Sequence, residues 1–250
     1  MTCGQRPSWL TPHPRISFID HSQIIPSEFL PTFNSHVIEA FLCEVPGLSE
    51  HYVYFNDDVF LARPAVPELF FTTSGAAKAA LSAKPLPTPT HDELATPMDH
   101  ACGNVARLMR EVYGAAPQWQ ILHSFHAQTR RSSHESLQLI RARQCEFFEN
   151  RFRSNADYNI ASFMTHCVGA QSGRTVVADY RCMYFGHSNR GASFRYDALL
   201  DLQGSALCPD TFCVNDAASP AGPTETADSE LTRFLSRYFG IAAPWEAPQG

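Results

Sequence analysis

The 250-residue chain is 44% hydrophobic and 12% aromatic with a formal net charge of −6, so it can bury a real core and is not a disordered polymer. Its acidic balance and pI near 6.0 give no basic face for nucleic acid, and no apolar run reaches the length of a membrane span, so any membrane contact is expected to be peripheral. Lysine occurs only at Lys78 and Lys84, which makes nearly every cation a guanidinium suited to bidentate phosphate contacts. Cys3, Cys43, Cys102, Cys145, Cys167, Cys182, Cys208 and Cys213 form no CxxC pair and no secretory signal precedes them. Free, mostly buried thiols in a cytoplasmic protein are expected.

Residues 1–29 mix prolines with short β-like runs, of which Ile16-Ser-Phe-Ile19 leads into Asp20-His21. Val37, Ile38, Phe41, Leu42 and Val45 follow helical spacing over 34–45, with Asn34 or Ser35 as N-cap and Pro46-Gly47 as the stop. Aromatic and β-branched residues predict a strand at 51–55, and 59–61 continues extended until Pro64 and Pro67 break it. The proline-rich stretch 83–97 reads as a solvated connection. Beyond it, Val105, Leu108, Met109 and Val112 form the stripe of a helix over 98–113 that Gly114 caps. A second helix is predicted over 132–148 with Leu137, Ile140 and Cys145 inward, and a third over 157–169 carrying Ile160, Phe163, Met164 and Cys167. Strand composition returns at 175–185 and at Thr211-Phe-Cys-Val214. Residues 217–228 read as a linker and 229–239 as a last amphipathic helix before a fraying tail. This order favours the α/β class, without internal repeats. The expected organisation is an N-terminal α/β part over 1–82, the connection over 83–97, the remainder of the same domain over 98–216, and a linker with the final helix over 217–250.

Asn56-Asp57-Asp58 places two adjacent carboxylates where a strand emerges from the core. Such a pair can hold a divalent cation bridging two phosphates or supply a base, and a hairpin turn uses the same residues. His36 and Glu39, at i and i+3, share a helix face, as a carboxylate-oriented imidazole, as two sugar contacts or as a surface pair. In Leu122-His-Ser-Phe-His126, ahead of Arg130-Arg131, His123 is a candidate acid, base or phosphate partner. A metal pair with His126 lacks a third ligand, and His126 reads as a partly exposed residue of a connector. In Arg151-Phe-Arg-Ser-Asn-Ala-Asp157, Arg153 can clamp a phosphate with Asp157 as its support, or Ser154 or Asn155 can cap the helix that follows. Asn215-Asp216 repeats the Asn-Asp ending after a short strand, and two such endings suggest loops meeting at one sheet edge. Walker-type, GxGxxG and GxSxG patterns are absent from the sequence, which leaves ATP-loop, dinucleotide and serine-hydrolase readings without support.

In their order these tracts resemble the Stealth family of sugar-1-phosphate transferases, which includes bacterial capsular and exopolysaccharide phosphotransferases and the catalytic subunit of N-acetylglucosamine-1-phosphotransferase. Leu30-Pro-Thr-Phe-Asn-Ser-His-Val-Ile-Glu39, Pro46-Gly-Leu-Ser49 and Tyr54-Phe-Asn-Asp-Asp-Val-Phe60 are similar to the family's second conserved region. Gln5-Arg-Pro-Ser-Trp-Leu10 and Asp20-His21 fit its lead-in. Leu122-His123, Arg130-Arg-Ser132 and 151–157 are similar to the third region, and Phe212-Cys-Val-Asn-Asp216 to the fourth. The resemblance implies transfer of a hexose 1-phosphate from a nucleotide-sugar donor to a saccharide hydroxyl on the cytoplasmic side of the membrane. It further implies Asp57 or Asp58 as base or Mg²⁺ ligands, His123 in acid/base or phosphate work, and Arg153 as a phosphate clamp supported by Asp157. Asn34, His36, Glu39, Asn56, Arg130, Asn215 and Asp216 would contact sugar or nucleotide. No organic cofactor is implied. The implied fold is a Rossmann-like mixed sheet with flanking helices and a helical section in the middle. The family's first conserved region is expected before Gln5, and nothing there matches it. A truncated homologue that binds sugar-phosphate or a partner without turnover is therefore the alternative expectation.

Overall fold

The structure, a computed structural model, describes residues 1–86, 96–187, 191–215 and 225–247. In chain order its elements are α1 (Ser35–Ala40), β1 (His51–Tyr54), β2 (Val59–Leu61), α2 (Pro67–Phe70), β3 (Ala77–Ala79), β4 (Leu81–Pro85), α3 (Pro97–Tyr113), β5 (Trp119–Ile121), β6 (His126–Thr129) and α4 (Arg130–Arg143). They continue with α5 (Thr165–Gln171), β7 (Thr175–Val177), β8 (Cys182–Gly186), α6 (Ala192–Leu202), β9 (Thr211–Asn215) and α7 (Glu225–Tyr238). The α/β class expected from the sequence holds, with the strands distributed over four small sheets among the described residues. No described helix is long and apolar enough to cross a membrane.

The chain forms two units. The first takes Ile19–Phe55 and Val66–Asp179 together with Met1; the second takes Thr2–Phe18, Asn56–Ala65 and Tyr180–Gly250. In the first unit, β1 pairs antiparallel with β6, β3 parallel with β7, and β4 antiparallel with β5. Its core collects Val37 and Phe41, Val105, Leu108 and Met109 from α3, Leu137 and Ile140 from α4, and Ile160, Phe163 and Met164 ahead of α5. In the second unit, β9 lies between β2 (antiparallel) and β8 (parallel), so β8, α6 and β9 make a βαβ unit. Its core is aromatic: Tyr196 of α6 stacks on Phe234 of α7 at 4.6 Å, and Phe212 of β9 stacks on Phe60 of β2 at 5.1 Å.

Local chemistry explains most boundaries. Asn34 caps α1 by accepting the His36 N–H at 3.1 Å. The predicted helix over 34–45 nevertheless stops at Ala40, because the Phe41 N–H turns back to the Ile38 carbonyl and the chain tightens into a 3-10 turn over Leu42–Glu44. α3 begins with a capping box between Thr96 and Asp99, carries Pro97 in its first turn and ends on Gly114 in the left-handed region. α4 starts at Arg130, capped by Thr129, and ends at Gln144; a 3-10 turn over Cys145–Glu149 follows. Cys145, predicted inward, is exposed, and Phe147 and Phe148 are buried in its place. Two phenyl rings gain far more by leaving water than one thiol does.

The predicted helix over 157–169 begins only at Ile160, as a π-helical turn running into α5, because the Asp157 carboxylate is committed to neighbouring loops. Ile16 to Ile19 adopts no regular strand, and β4 enters the stretch expected to be a solvated connection, of which 87–95 lie outside the described residues. All eight cysteines are free: four are buried, two half-buried and two exposed.

Gly169 of α5 marks the tightest joint in the first unit. A Cβ there would run into the Thr175 hydroxyl of β7 and come within 3.1 Å of the Ser132 hydroxyl of α4. Gly169→Ala is expected to destabilise the protein by about 1–3 kcal/mol, the range for overpacking. Urea denaturation followed by circular dichroism measures this, and an unchanged midpoint would contradict the packing described.

Candidate functional site

The first unit folds the 30–39 tract against the 150–157 loop around one buried carboxylate. Asp157 is buried. Its Oδ2 accepts from Asn34 Nδ2 (2.9 Å), the Ser154 N–H (3.0 Å) and His36 Nδ1 (3.2 Å), and its Oδ1 accepts from Asn150 Nδ2 (2.8 Å). The Asn34 amide also donates to the Asn150 and Phe152 carbonyls, both at 3.2 Å. Burial by itself pushes the Asp157 carboxyl up, but the bonds from His36, Ser154, Asn34 and Asn150 outweigh it and hold the group below the usual carboxylate range.

Two sequence expectations are corrected by this knot. The carboxylate that orients His36 is Asp157, 121 residues away, and not Glu39 one turn on. Asp157 does not support Arg153; the Arg153 guanidinium reaches Ser35 Oγ instead, at 2.7 and 3.2 Å, and stays solvent-facing. The reason in both cases is that four donors from two loops already occupy the carboxylate oxygens. His36 Nε2 is buried without a hydrogen-bond partner.

Glu39 lies deeper. Its Oε1 accepts from Tyr54 OH at 3.1 Å, and its Oε2 is buried without a hydrogen-bond partner. Burial raises its pKa more than His36, Tyr54, Arg153 and the Ala161 N–H lower it. The environment thus shifts this carboxyl toward its neutral form. Tyr54 sits directly across the ladder from His126, their rings 6.3 Å apart. Far from being a partly exposed connector residue, His126 belongs to the fully buried strand β6. Its Nδ1 lies 3.2 Å from Nε2 of His166 on α5. Burial, with the neighbouring His166 and His123, drives the His126 pKa well below 6.5, and burial brings His166 down to about 4. His166 escaped the sequence reading because a lone histidine among apolar helix positions carries no spacing signal. His123 is half-buried before β6, its ring 6.5 Å from that of His126. Arg130 opens α4 with its side chain exposed and its N–H on the Glu50 carbonyl.

In the second unit the Asn56-Asp57-Asp58 tract is a turn closed by the Val59 N–H on the Asn56 carbonyl. It is not a hairpin, since β1 and β2 belong to different sheets. Asp57 is exposed. Asp58 is half-buried, and its Oδ2 accepts from Asn215 Nδ2 at 2.8 Å and from Cys213 Sγ at 3.2 Å. Asn215 at the end of β9 thus meets Asp58 ahead of β2, whereas β1, the strand before Asn56, belongs to a different sheet. Cys213, unmarked in the sequence, is held as a thiol: burial and the Asp58 charge push its pKa up, so its S–H donates to the carboxylate. Asn56 Oδ1 is buried without a hydrogen-bond partner. Asp216 lies outside the described residues.

Comparison with known proteins fits this pattern of tracts. Residues 1–79 match the family described as Stealth protein CR2, conserved region 2. The chain is 38% identical to the capsular polysaccharide phosphotransferase LcbA of Aeromonas hydrophila, over 96% of this chain and 66% of LcbA. It is 37% identical to the capsular polysaccharide phosphotransferase fcs1 of Haemophilus influenzae, over 96% and 66%. With the exopolysaccharide phosphotransferase SCO6023 of Streptomyces coelicolor it shares 35% identity over 98% of this chain and 42% of that protein. The chain belongs to the Stealth family. It spans just under two thirds of LcbA and fcs1 and less than half of SCO6023.

The buried imidazoles give a pH signature. Because the folded His166 pKa is depressed, the unfolded chain takes up that proton first as pH falls. The stability that depends on neutral His166 is complete above pH 6.5, is lost between 6.5 and about 4, and falls no further below that. The melting temperature should drop across this window, and less steeply in His166→Gln. Equal slopes in the two proteins would contradict the assignment.

Proposed function

We propose that this chain transfers a hexose 1-phosphate from a nucleotide-sugar to a saccharide hydroxyl, forming a phosphodiester in capsule or exopolysaccharide synthesis on the cytoplasmic side of the membrane. One observation carries the reading. The chain aligns over nearly its whole length with capsular polysaccharide phosphotransferases, and its family tract from Asn34 to Glu39 is folded around a buried carboxylate beside an outward guanidinium.

In this reaction the acceptor oxygen attacks the phosphorus that bears the hexose. A new P–O bond forms to the acceptor, the P–O bond to the nucleoside monophosphate breaks, and the hydroxyl proton passes to a base. The chemistry needs an in-line hydroxyl, a base and positive charge over the phosphoryl oxygens. Arg153, anchored on Ser35 and open to solvent, supplies the charge. Asp58, aligned by Asn215 and Cys213, serves as base. His123 is assigned acid/base or phosphate work, and Glu39, whose pKa burial raises, is assigned a contact to the sugar or nucleotide. Asn34, His36 and Asp157 fix the loop geometry, while Asn56, Arg130, Asn215 and Asp216 are assigned contacts to sugar or nucleotide. Asp57 and Asp58 suit a cation held by one or two carboxylates plus substrate phosphates, so they would hold Mg²⁺, whose charge would neutralise those phosphates.

The bond that breaks distinguishes this reaction from glycosyl transfer: attack at phosphorus releases UMP from a UDP-sugar, whereas attack at the anomeric carbon releases UDP. Purified protein given a panel of UDP-sugars with saccharide acceptors, with and without Mg²⁺, is expected to release UMP in an acceptor-dependent way. Arg153→Ala should lower kcat/KM by about 100-fold or more, and Asp58→Asn comparably. Wild-type transfer by both variants would sink the site assignment, and release of UDP would sink the reaction.

A further inference from the structure

Beside the Asp157 knot the first unit holds two aromatic rings out in water. Phe33 and Phe152 are 66% and 68% exposed, yet they come from loops more than a hundred residues apart and lie parallel, 13° between planes and 5.4 Å between centroids. Their own packing does not hold them there. The backbone beneath does: the Phe33 N–H donates to the Arg151 carbonyl at 2.8 Å, and the Asn34 amide donates to the Phe152 carbonyl. Single exposed hydrophobic residues are ordinary. A stacked pair fixed by a buried polar tie is different, because its position is set before any ligand arrives and ordering it costs nothing on binding.

The groups around the rings define the occupant. Asn34 and Asp157 are used up in the knot. Two guanidiniums in the Phe152 loop face solvent: Arg153, held on Ser35 Oγ, and Arg151. Such a surface offers a flat apolar face bordered by positive charge. A pyranose ring has the complementary shape, with one face rich in C–H bonds, hydroxyls around its edge and, in a sugar phosphate, an anion one bond away. Aromatic faces carry the negative lobe of the ring quadrupole and attract such C–H groups. A nucleobase would also stack on such a face, and UMP in the titration below separates the two.

We infer that Phe33 and Phe152 form a stacking platform for the hexose ring of a saccharide substrate, with Arg153 at the phosphate. This rests on the transferase reading and adds to it the site that recognises the sugar. The hexose is either the donor's or the acceptor's.

The test is calorimetric titration of the full chain with hexose 1-phosphate, a UDP-hexose, UMP and an unphosphorylated acceptor saccharide. The proteins compared are wild type, Phe33→Ala, Phe152→Ala and Phe152→Tyr. Both rings are surface groups, so all variants should keep the wild-type melting temperature. Each alanine variant is expected to weaken hexose binding at least tenfold while UMP binding is unchanged, and Phe152→Tyr should stay within twofold of wild type. Loss confined to hexose 1-phosphate and the UDP-hexose assigns the platform to the donor; loss confined to the unphosphorylated saccharide assigns it to the acceptor. Equal loss for UMP would overturn the inference in favour of base stacking, and unchanged saccharide binding would overturn it outright. If the alanine variants bind normally while Arg153→Ala abolishes UMP release, the platform falls alone. If wild type binds no saccharide and releases no UMP, the transferase reading falls and takes the platform with it.

Discussion

One buried carboxylate decides the geometry of the first unit's candidate site. An ionised Asp157 placed in a protein interior without partners would carry a desolvation penalty that folding could not absorb. Four donors remove that penalty, and each comes from a loop that would otherwise be free to move: Asn34 and His36 from the helix-opening tract, Asn150 and the Ser154 N–H from the loop before the π-helical turn. The satisfied network fixes the chain on both sides of it. Arg153 is thereby left facing outward against Ser35, His36 is set by its Nδ1, and Phe33 and Phe152 are brought ring to ring. Stability and candidate chemistry in this unit share one constraint.

The second unit solves a similar problem with a weaker donor. Asp58 is only half-buried, and one of the groups that donates to it is a thiol kept protonated by the same charge it serves. Glu39 is the opposite case. Its bonds from Tyr54 and the Ala161 N–H do not offset its burial, and it is pushed toward its neutral form. Glu39 and Asp157 are therefore shifted in opposite directions by their surroundings.

What could be seen in the sequence was local. The Asn34 cap, the Val105–Leu108–Met109 stripe and the Gly114 stop of α3 follow from hydrogen-bonding and helical periodicity over a few residues, and the structure has each of them. What could not be seen depends on pairing across the chain. Nothing near His36 says that its partner is Asp157, and the i+3 carboxylate of Glu39 was the wrong lure. Nothing near Val59 says that β2 joins β9, about 150 residues on, so that the chain leaves one unit at Asn56 and returns at Val66. Cys145 illustrates a third limit: helical spacing pointed it inward, but the end of α4 at Gln144 changed the rotation and let two phenylalanines take the core. Family resemblance recovered the grouping of the tracts because it carries long-range information that periodicity lacks; it did not carry the contacts.

The coupling between Asn34 and Asp157 tests the central claim most directly. Equilibrium denaturation of wild type, Asn34→Ala, Asp157→Ala and the double variant gives the interaction energy of the pair free of the separate costs of each truncation. Residues that act within one buried network are expected to couple by about 0.5–3 kcal/mol, with the double variant losing less than the two single losses added together. Single losses that simply add, to within about 0.3–0.5 kcal/mol, would mean that the carboxylate does not tie the two loops together.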